Sequence, residues 1–429
     1  MKAFLNHAAY SPDFATPGYG QTAALSSFAG KTLLELQIDS LLSNGVKKLL
    51  VLLPSSVSKS TLPYKDDARV RFAYLDKPLG TGGSFARFAA ELGDFLYVPG
   101  NLLISLDLHR FAARHKKQEG FLTLFAQPRP YCEAEEIVLS SDGEHVSAVM
   151  PKGASGREDF NYKNLVPSDL CFISEGLSET FDPEEEEPFD FHDGVLLPTV
   201  EAGLASFYSS PEIVHRLGEE GLIEAEKDYV SGRMEARNLK NPQKAIFLDR
   251  DGTINVFGDY VVRPDMLTLL PFAGEAIRKI NQSEYLCICA TNQPLVARGE
   301  ASMAEVNDIH AYLEKLLAAQ GAYLDALYVC PHFPKEHFHG QGNDAYLIQC
   351  NCRKPKTGML KKAKAAFNID LTKSYFIGDT YQDVQTGINA GAHPLLVTCG
   401  DPNPAKKFAE AKPEGIFETT LAAVDFILK

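Results

Sequence analysis

Two aspartates separated by one residue, Asp249 and Asp251, follow an apolar segment in the sequence AIFLDRDGTIN. The apolar segment predicts a buried strand, which would place both carboxylates on the loop at its end. There, one carboxylate could attack a phosphorus atom while the other exchanges protons, as covalent phosphoryl transfer requires. The pair therefore indicates a catalytic centre, although an Asp-rich solvated turn would have the same composition.

Three further polar pairs follow downstream. Two of them could bind a phosphate, and the third could bind the metal ion that accompanies it. A hydroxyl and an amide could hold phosphoryl oxygens, an arginine and a lysine could neutralise phosphate charge, and two more aspartates offer hard oxygen ligands for Mg²⁺. The residues are Thr291 and Asn292 at the end of LCICATN, Arg353 and Lys354 in CRKPKTG, and Asp379 and Asp383 in IGDTYQD.

A group of cysteines and histidines between 330 and 352 has the composition of a metal site. Three thiolates and one imidazole form a complete tetrahedral set for Zn²⁺, and a site with no open position would be structural. The four predicted ligands are Cys330, His332, Cys350 and Cys352. His337 and His339 lie in the intervening loop as competing ligands, and a cluster of free buried thiols is the alternative without metal.

The elements that must position these residues alternate short apolar segments with helical patterns, which is typical of an α/β fold. A chain of 429 residues is long for one core, so we expect two domains. Pro242 precedes a fresh strand pattern, which places the domains at 1–238 and 239–429.

Three local expectations concern the first half. The stretch DKPLGTGGSF (76–85) predicts a glycine-rich turn between a strand at Val70–Leu75 and a helix that begins near Ser84. The acidic stretch 182–190 predicts a solvated loop. Residues 211–238 predict a charged helix.

Composition and charge exclude several classes of function. The net charge of −14 argues against nucleic acid or an anionic membrane as the main partner. No apolar segment approaches the roughly 20 residues that span a bilayer. The N-terminal segment lacks the apolar core of a signal peptide because His7 and Asp13 interrupt it. Scattered cysteines favour a reducing compartment, and we expect a cytoplasmic protein.

The order of acid pair, hydroxyl, lysine and acid pair resembles the four-part signature of the haloacid dehalogenase superfamily. The sequences DRDGTIN, GDYV, TNQPLVARG and CPH…CNCRKPKTGM resemble its D-glycero-D-manno-heptose 1,7-bisphosphate phosphatases over about residues 245–400. The resemblance implies a haloacid-dehalogenase-like parallel sheet, Mg²⁺ and structural Zn²⁺ as cofactors, and removal of the 7-phosphate of D-glycero-D-manno-heptose 1,7-bisphosphate. Another small sugar phosphate is an alternative substrate. Histidinol-phosphate phosphatases share the zinc loop and are the alternative.

The resemblance also implies a catalytic set. Asp249 would be the nucleophile that forms an aspartyl-phosphate. Asp251 would protonate the leaving oxygen and then activate the hydrolytic water. Thr291 and Lys354 would bind the transferred phosphoryl group.

Further contacts are implied with the metal and the sugar. Mg²⁺ would lie between Asp249, the carbonyl of Asp251 and Asp379, with Asp383 in support. The implied substrate-binding residues are Asn292, Arg353, Asp259 and Tyr260. Loop packing would explain the last two equally well.

The sequence KPLGTGGSFARFA in the first half resembles the loop of sugar-1-phosphate nucleotidyltransferases whose backbone approaches the base and ribose. AGKTLLELQIDSLLSNGVKKLLVLL and FLYVPGNLLISLDLHRF are similar to the same family, over roughly residues 1–225 in all. The resemblance implies a Rossmann-type mixed sheet. Nucleotidyltransferases of heptose 1-phosphate occur fused to this type of phosphatase, so the order of domains also agrees.

Four features that this family needs for transfer are absent from the sequence. NHAAYSPDFATPGYG replaces the glycine-rich, arginine-bearing loop that surrounds a triphosphate. Thr22 and Ala23 replace a Pro-Lys pair that steadies the attacking phosphate. Asn101, after Gly100, and Phe207 replace two metal-binding aspartates. We therefore predict that the first half has lost nucleotide transfer and that its glycine turn is kept for folding or binding.

Two interpretations of the first half remain. It is a binding or oligomerisation module for a nucleotide, a sugar phosphate or a partner. Alternatively, the protein is bifunctional and transfers a nucleotide to heptose 1-phosphate with the displaced residues Asp107, Asp193 or Lys31. A scaffold of two inactive domains is the non-enzymatic alternative, and the intact residue set of the second half argues against it.

Overall fold

The structure is a computed structural model, and it describes residues 1–429 except 8–26, 29, 119, 130–135, 141–142, 152–163, 185, 218, 259–260 and 405–406. The chain divides into two compact units. The N-terminal unit extends to Asn238, and the main body of the C-terminal unit comprises Leu239–Lys429. Within the described ranges, no helix has the length and apolar character needed to cross a bilayer.

A mixed sheet forms the centre of the N-terminal unit. The strands are β1 (Lys2–Asn6), β2 (Ser27–Phe28), β3 (Lys31–Thr32), β4 (Lys48–Pro54), β5 (Val70–Leu75), β6 (Phe95–Pro99), β7 (Leu102–Ser105), β8 (Leu122–Pro128), β9 (Glu136–Leu139), β10 (Val146–Met150), β11 (Leu165–Ile173), β12 (Ala205–Ser209) and β13 (Ile213–Arg216). Seven of them form one sheet in the order β12-β8-β11-β6-β1-β4-β5. Strand β1 runs parallel to β4 and β6, whereas β11 runs antiparallel to β6. The predicted mixed sheet is confirmed.

Helices pack on both faces of this sheet. They are α1 (Leu33–Ser43), α2 (Gly80–Ala89), α3 (Leu108–Lys117), α4 (Glu175–Ser178), α5 (Leu197–Glu201), α6 (Glu219–Val230) and α7 (Arg233–Ala236), with a π-helical turn at His192–Leu196. Successive side chains of β1 point to opposite faces, as strand geometry requires. Leu5 packs in one core cluster with Leu34 of α1, and Phe4 packs in the other with Phe85 of α2.

The predicted charged helix over 211–238 is wrong at its beginning. Residues Ile213–Arg216 form β13, which pairs antiparallel with β7, and α6 begins only at Glu219. Apolar Ile213 and Val214 are buried, because this pairing gives them a partner strand that the local sequence does not reveal. Gly232, with φ of 76°, then separates α6 from α7.

The glycine-rich turn after β5 packs against Phe189 of the same chain. Helix α2 begins at Gly80 and not near Ser84, so the glycines form its first turn. The N–H groups of Gly82 and Gly83 donate to the Phe189 carbonyl at 2.9 and 3.4 Å. A Cβ atom at Gly82 would lie 2.3 Å from the Phe189 ring, so internal packing alone requires glycine here.

The acidic stretch 182–190 is only partly the predicted solvated loop. Glu184, Glu186 and Glu187 are exposed, as expected. Phe189 is half-buried, however, and the Thr81 hydroxyl donates to the Asp190 carboxylate at 2.7 Å. The apolar residue that ends the acidic run therefore fixes this segment against α2.

A parallel sheet forms the centre of the C-terminal unit, as predicted. Its strands are β14 (Lys244–Leu248), β15 (Tyr285–Asn292), β16 (Ala326–Cys330), β17 (Tyr375–Gly378), β18 (His393–Val397) and β19 (Gly415–Phe417), in the order β16-β15-β14-β17-β18-β19. The helices are α8 (Ala273–Asn281), α9 (Leu295–Arg298), α10 (Met303–Ala318), α11 (Gly358–Phe367), α12 (Tyr381–Ala390) and α13 (Thr420–Ile427). The chain leaves β14 toward β15 on one side, and β17 lies on the other. Ligands of such sheets bind at this switch in direction, outside the carboxyl ends of the strands.

Candidate active site

A cavity of about 220 Å³ opens at the carboxyl ends of β14, β15 and β17. Four acids, four bases and a set of uncharged side chains line it. They are Asp249, Asp251, Asp379 and Asp383; Arg250, Arg298, Arg353 and Lys354; and Phe257, Gly258, Val261, Thr291, Asn292, Gln293, Pro294, Thr380 and Gln382. The structure thus brings together the residues that follow separate strands in the sequence.

Lys354 lies at the centre of the cavity wall between two carboxylates. Its Nζ is 2.7 Å from Asp249 Oδ1 and 2.6 Å from Asp383 Oδ1, and the residue is 3% exposed. Burial alone would lower the pKa of this lysine, but the two carboxylates outweigh it and raise the pKa above its usual value. The ammonium group therefore remains charged beside the predicted nucleophile.

Backbone contacts hold Lys354 in place. Its N–H donates to Asn292 Oδ1 at 3.0 Å, and its carbonyl accepts from Gln382 Nε2 at 2.9 Å. The Asn292 amide was predicted to bind substrate. In the structure its oxygen is engaged with the Lys354 backbone, so Asn292 positions the lysine whose charge faces the cavity.

Asp249, Asp379 and Asp383 form a cluster whose ligand oxygens lie within 4.8 Å of one another. Burial, together with the repulsion of neighbouring carboxylates and against the attraction of Lys354, raises the pKa of Asp249 to about 7 and that of Asp379 to about 8. These two carboxylates are therefore costly to ionise here without a bound metal ion. Hard oxygen donors in this arrangement fit Mg²⁺.

Local structure fixes the aspartates of this cluster. Asp383 caps the first turn of α12 through Thr380, and Asp379 Oδ2 accepts from the Asp401 N–H at 2.7 Å. A Cβ atom at Gly252 would lie 2.0 Å from Asp379 Oδ2, and φ of 78° also favours glycine there. The glycine of DRDGT is thus required by the approach of the Asp379 carboxylate.

Asp251 is held by donors on three sides. Arg250, 1% exposed, donates from Nη2 to Asp251 Oδ1 at 2.8 Å. Asn255 Nδ2 donates to Oδ1 at 3.0 Å, and Gln293 Nε2 donates to Oδ2 at 2.8 Å. Burial opposes ionisation, but the Arg250 guanidinium and these hydrogen bonds outweigh it and lower the pKa of Asp251. The free site therefore holds Asp251 as a carboxylate that can accept a proton.

Gln293 also connects Asp251 to Thr291. The same Nε2 lies 2.9 Å from Thr291 Oγ1, and both side chains are buried. Thr291 thereby presents an oriented hydroxyl to the cavity beside Asp249. Sequence reasoning missed Gln293, although its place directly after Thr291 and Asn292 in TNQ is the signal that could have identified it.

The predicted zinc ligands converge at the end of β16. Sγ of Cys330, Cys350 and Cys352 and a ring nitrogen of His332 all lie within 4.8 Å of one another. Cys352 Sγ is 3.2 Å from Cys330 Sγ and 3.3 Å from His332 Nδ1. A hydrogen bond from Cys330, with further contributions from Cys350 and His332, lowers the pKa of Cys352 to about 5. This thiolate-bearing set of four soft and borderline donors fits Zn²⁺.

Some predicted residues fall outside this geometry. Asp259 and Tyr260 lie outside the described residues, so their implied sugar contacts stay predictions. His337 and His339 are not members of the four-residue thiol and imidazole cluster. Sequence reasoning missed Arg250, and the signal was its position between the two aspartates of DRD.

Residues Gly100, Asn101 and Phe207 of the N-terminal unit have structural partners of their own. The Asn101 carbonyl accepts from the Leu217 N–H at 2.7 Å, and Phe207 lies in β12 opposite Leu124. A Cβ atom at Gly100 would lie 2.6 Å from His7 Nδ1. Thr22 and Ala23 lie outside the described residues.

Lys31, Asp107 and Asp193 are the residues that the bifunctional alternative would use for nucleotide transfer. Each of them has different contacts in the structure. Lys31 pairs with Asp39 at 2.7 Å, Asp107 caps α3, and Asp193 is exposed. Within the described part of the chain, none of the three belongs to a group of side chains that could hold a metal.

Comparison with known proteins places the chain in a family. A family model described as HAD-hydrolase-like matches residues 351–423. The D-glycero-beta-D-manno-heptose-1,7-bisphosphate 7-phosphatase of Haemophilus influenzae is 38% identical over 160 residues, 37% of this chain and 84% of that relative. The corresponding 7-phosphatase of Thermosynechococcus vestitus is 36% identical over 190 residues, 43% of this chain and 96% of that relative. The chain belongs to this phosphatase family. It is therefore a phosphoric monoester hydrolase.

Solved structures similar to this phosphatase cover each half of the chain. The D,D-heptose 1,7-bisphosphate phosphatase of B. bronchiseptica, complexed with magnesium and phosphate, is 34% identical over 43% of this chain and 98% of its own, with a TM-score of 0.38. HddC from Yersinia pseudotuberculosis is 17% identical over 53% of this chain and 100% of its own, with a TM-score of 0.43.

Proposed function

We propose that the C-terminal unit removes the 7-phosphate of D-glycero-D-manno-heptose 1,7-bisphosphate through an aspartyl-phosphate on Asp249. The observation that carries the proposal is the buried Lys354 ammonium, 2.7 Å from Asp249 and 2.6 Å from Asp383. It supplies positive charge where a phosphoryl group would meet the nucleophile. The names of the relatives that share this unit support this choice of substrate.

In the first step, an oxygen of Asp249 attacks phosphorus, and the bond from phosphorus to the sugar oxygen breaks. Asp251 gives a proton to that leaving oxygen. An incoming phosphate dianion beside Asp251 raises its pKa and so favours the protonated form that this step needs. In the second step, water attacks the aspartyl-phosphate, Asp251 takes the proton from the water, and Asp249 is released with inorganic phosphate.

We infer that Asp249, Asp379 and Asp383 hold Mg²⁺, together with the backbone carbonyl of Asp251. When bound, Mg²⁺ neutralises charge on the transferred phosphoryl group. The raised pKa values of Asp249 and Asp379 support this role, because a cation offsets the cost of ionising buried carboxylates. Thr291 and Lys354 bind the phosphoryl oxygens.

We also infer that Cys330, His332, Cys350 and Cys352 hold a structural Zn²⁺. Four protein donors leave no position for a substrate or water. The ion would fix the loop between β16 and α11, which carries Arg353 and Lys354 into the cavity.

We propose that the protein is cytoplasmic. The described cysteines form no disulfide, which agrees with the reducing conditions of the cytoplasm.

The proposal is tested with purified protein, Mg²⁺ and a panel that includes heptose 1,7-bisphosphate and histidinol phosphate. We expect phosphate release from the heptose bisphosphate and a loss of at least about 1,000-fold in Asp249→Asn, which removes the nucleophile. If the protein hydrolyses histidinol phosphate in preference, the heptose bisphosphate is not its substrate and histidinol phosphate takes its place. Release from no sugar phosphate would contradict the proposal as a whole.

For the N-terminal unit, we propose a binding or oligomerisation role without nucleotide transfer. The side chains at two positions support it, because Asn101 and Phe207 supply no carboxylate where the transferase resemblance places metal-binding aspartates. The bifunctional alternative would require metal ligands from the segments outside the described residues.

A further inference from the structure

Three cysteine sulfur atoms at the end of β16 lie in contact with one another. Cys352 Sγ is 3.2 Å from Cys330 Sγ and 3.4 Å from Cys350 Sγ, and the remaining pair is separated by 3.6 Å. A disulfide bond requires about 2.05 Å between its sulfur atoms. Cys330 and Cys352 therefore need the smallest approach to form one, about 1.2 Å.

These three thiols differ in their access to solvent. Cys350 and Cys352 are partly exposed, whereas Cys330 is buried as the last residue of β16. The oxidation of a cysteine depends on its exposure, so an oxidant in solution reaches Cys350 and Cys352 first. Cys352 thus combines exposure to an oxidant with the nearest partner thiol, that of Cys330.

Cys352 is also close in the chain to the lysine of the cavity. Lys354 follows it by two residues, and Nζ of Lys354 lies 2.7 Å from Asp249 Oδ1 and 2.6 Å from Asp383 Oδ1. Charge-assisted hydrogen bonds depend on such short separations, so a displacement of Lys354 by about 1 Å would break both contacts. A movement of Cys352 toward Cys330 therefore acts on the cation that faces the proposed nucleophile.

We propose that Cys330 and Cys352 are a modification site for hydrogen peroxide, and that the disulfide they form switches off the phosphatase. The Cys352 sulfur attacks one peroxide oxygen, the O–O bond breaks, and a sulfenic acid and one water molecule result. The Cys330 sulfur then attacks the sulfenic sulfur, the S–S bond forms, and the hydroxide that leaves takes up a proton. Two thiols and one hydrogen peroxide thereby give one disulfide and two water molecules.

The disulfide also removes two of the four donors inferred to hold Zn²⁺. Only Cys350 and His332 would remain, whereas a structural zinc site uses four protein donors. Oxidation therefore releases the ion, and reduction in the presence of Zn²⁺ restores the site. The proposal rests on the phosphatase function and the zinc site proposed above, and it adds a reversible control of both. Transient, redox-sensing disulfides are the kind that form in the cytosol.

The test exposes purified, zinc-loaded protein to hydrogen peroxide and follows three quantities in the same samples. They are zinc release to a chromogenic chelator, disulfide-linked peptides by mass spectrometry, and hydrolysis of p-nitrophenyl phosphate with Mg²⁺. We expect about one zinc ion to be released for each disulfide between Cys330 and Cys352. Activity should fall at the same rate, by at least about 10-fold, because the lysine contacts are lost. Dithiothreitol followed by Zn²⁺ should restore most of it.

Cys399→Ala is the matched control. Among the described cysteines outside the cluster, Cys399 is the one that is not buried, and its Sγ lies 3.4 Å from the Gly252 carbonyl oxygen. The variant should lose activity in peroxide at a rate within about twofold of the wild type, because the responsible thiols are elsewhere. Resistance of Cys399→Ala to peroxide, loss of activity with zinc retained, or a disulfide that lacks Cys352 would overturn the switch.

The three readouts separate this proposal from those on which it rests. None of them uses heptose bisphosphate, so failure to hydrolyse that sugar would reject the proposed substrate and leave the switch intact. Protein that binds no zinc would reject the zinc site, while the disulfide and the loss of activity would still decide the switch.

Discussion

At the scale of single residues, Asp251, the proposed acid–base residue, is held by a buried arginine that is itself in contact with a histidine. Arg250 Nη1 lies 3.2 Å from His310 Nε2, and both residues are buried. Arginine has no acceptor, so His310 must present the lone pair of Nε2 to this contact. His310 in α10 is thereby a positioning residue for Arg250 and, through it, for Asp251.

This contact gives a prediction about His310. We expect His310→Leu to lower kcat about 10-fold with little change in KM, because loss of one buried hydrogen bond to a charged group costs about 1.5 kcal/mol. His310→Gln, whose amide oxygen can still accept, should recover most of kcat. Steady-state kinetics and thermal unfolding of both variants check it. Equal loss of kcat in the two variants would show that only the shape of His310 matters.

At the scale of elements, we expect the loop that bears Cys330, His332, Cys350 and Cys352 to depend most on a bound ion. We expect about one zinc per chain in the purified protein, and less than a tenth of that in His332→Gln or Cys352→Ser. Both variants should unfold at a lower temperature, because the metal contributes its binding free energy to folding. Metal content by mass spectrometry and calorimetry provide the measurements.

His339→Gln is the control for that experiment. His339 lies in the same loop but outside the cluster, so the variant should retain its zinc. Loss of zinc in His339→Gln, with zinc retained in His332→Gln, would transfer the ligand role to the competing histidine.

Much of the candidate site could be predicted because its residues follow strands directly. An apolar segment followed by Asp249 or Thr291 indicates both the strand and the direction of its carboxyl end. Contacts between distant segments could not be predicted in this way. Gly82 contacts Phe189, and Arg298 lies over the ring of Phe333. Both contacts form because packing brings together segments that are distant in the sequence. For the same reason, the sequence predicts that α2 begins near Ser84, whereas it begins at Gly80. Glycines in a first helical turn have the composition of a loop, and the packing partner that stabilises the turn is not visible in the local sequence.

At the scale of the whole molecule, the two units differ in how many residues of the chemistry expected of them they retain. One cavity of the C-terminal unit contains the residue types that the proposed phosphatase reaction needs. In the N-terminal unit, Asn101 and Phe207 occupy the positions that the nucleotidyltransferase resemblance assigns to metal-binding aspartates. A protein can keep its fold after losing catalytic activity, because the residues that pack a sheet differ from the carboxylates that catalyse a reaction.

This difference gives a prediction for the N-terminal unit. With heptose 1-phosphate, each nucleoside triphosphate and Mg²⁺, we expect no nucleotide-heptose and no pyrophosphate above the level of a blank without protein. Calorimetric titration of the same nucleotides, with and without Mg²⁺, separates binding from transfer. Any binding should be insensitive to Mg²⁺, because Asn101 and Phe207 supply no carboxylate at the positions that the resemblance assigns to metal binding. Formation of a nucleotide-heptose would restore the bifunctional interpretation.

In the proposed reaction, Asp249 takes the 7-phosphate from a heptose bisphosphate. Phosphorus NMR of the reaction with Mg²⁺ tests it most directly, since it distinguishes the two phosphate positions in the product. We expect heptose 1-phosphate and inorganic phosphate from the wild type, and unchanged bisphosphate with Asp249→Asn. Heptose 7-phosphate as the product, or undiminished phosphate release by the variant, would contradict it.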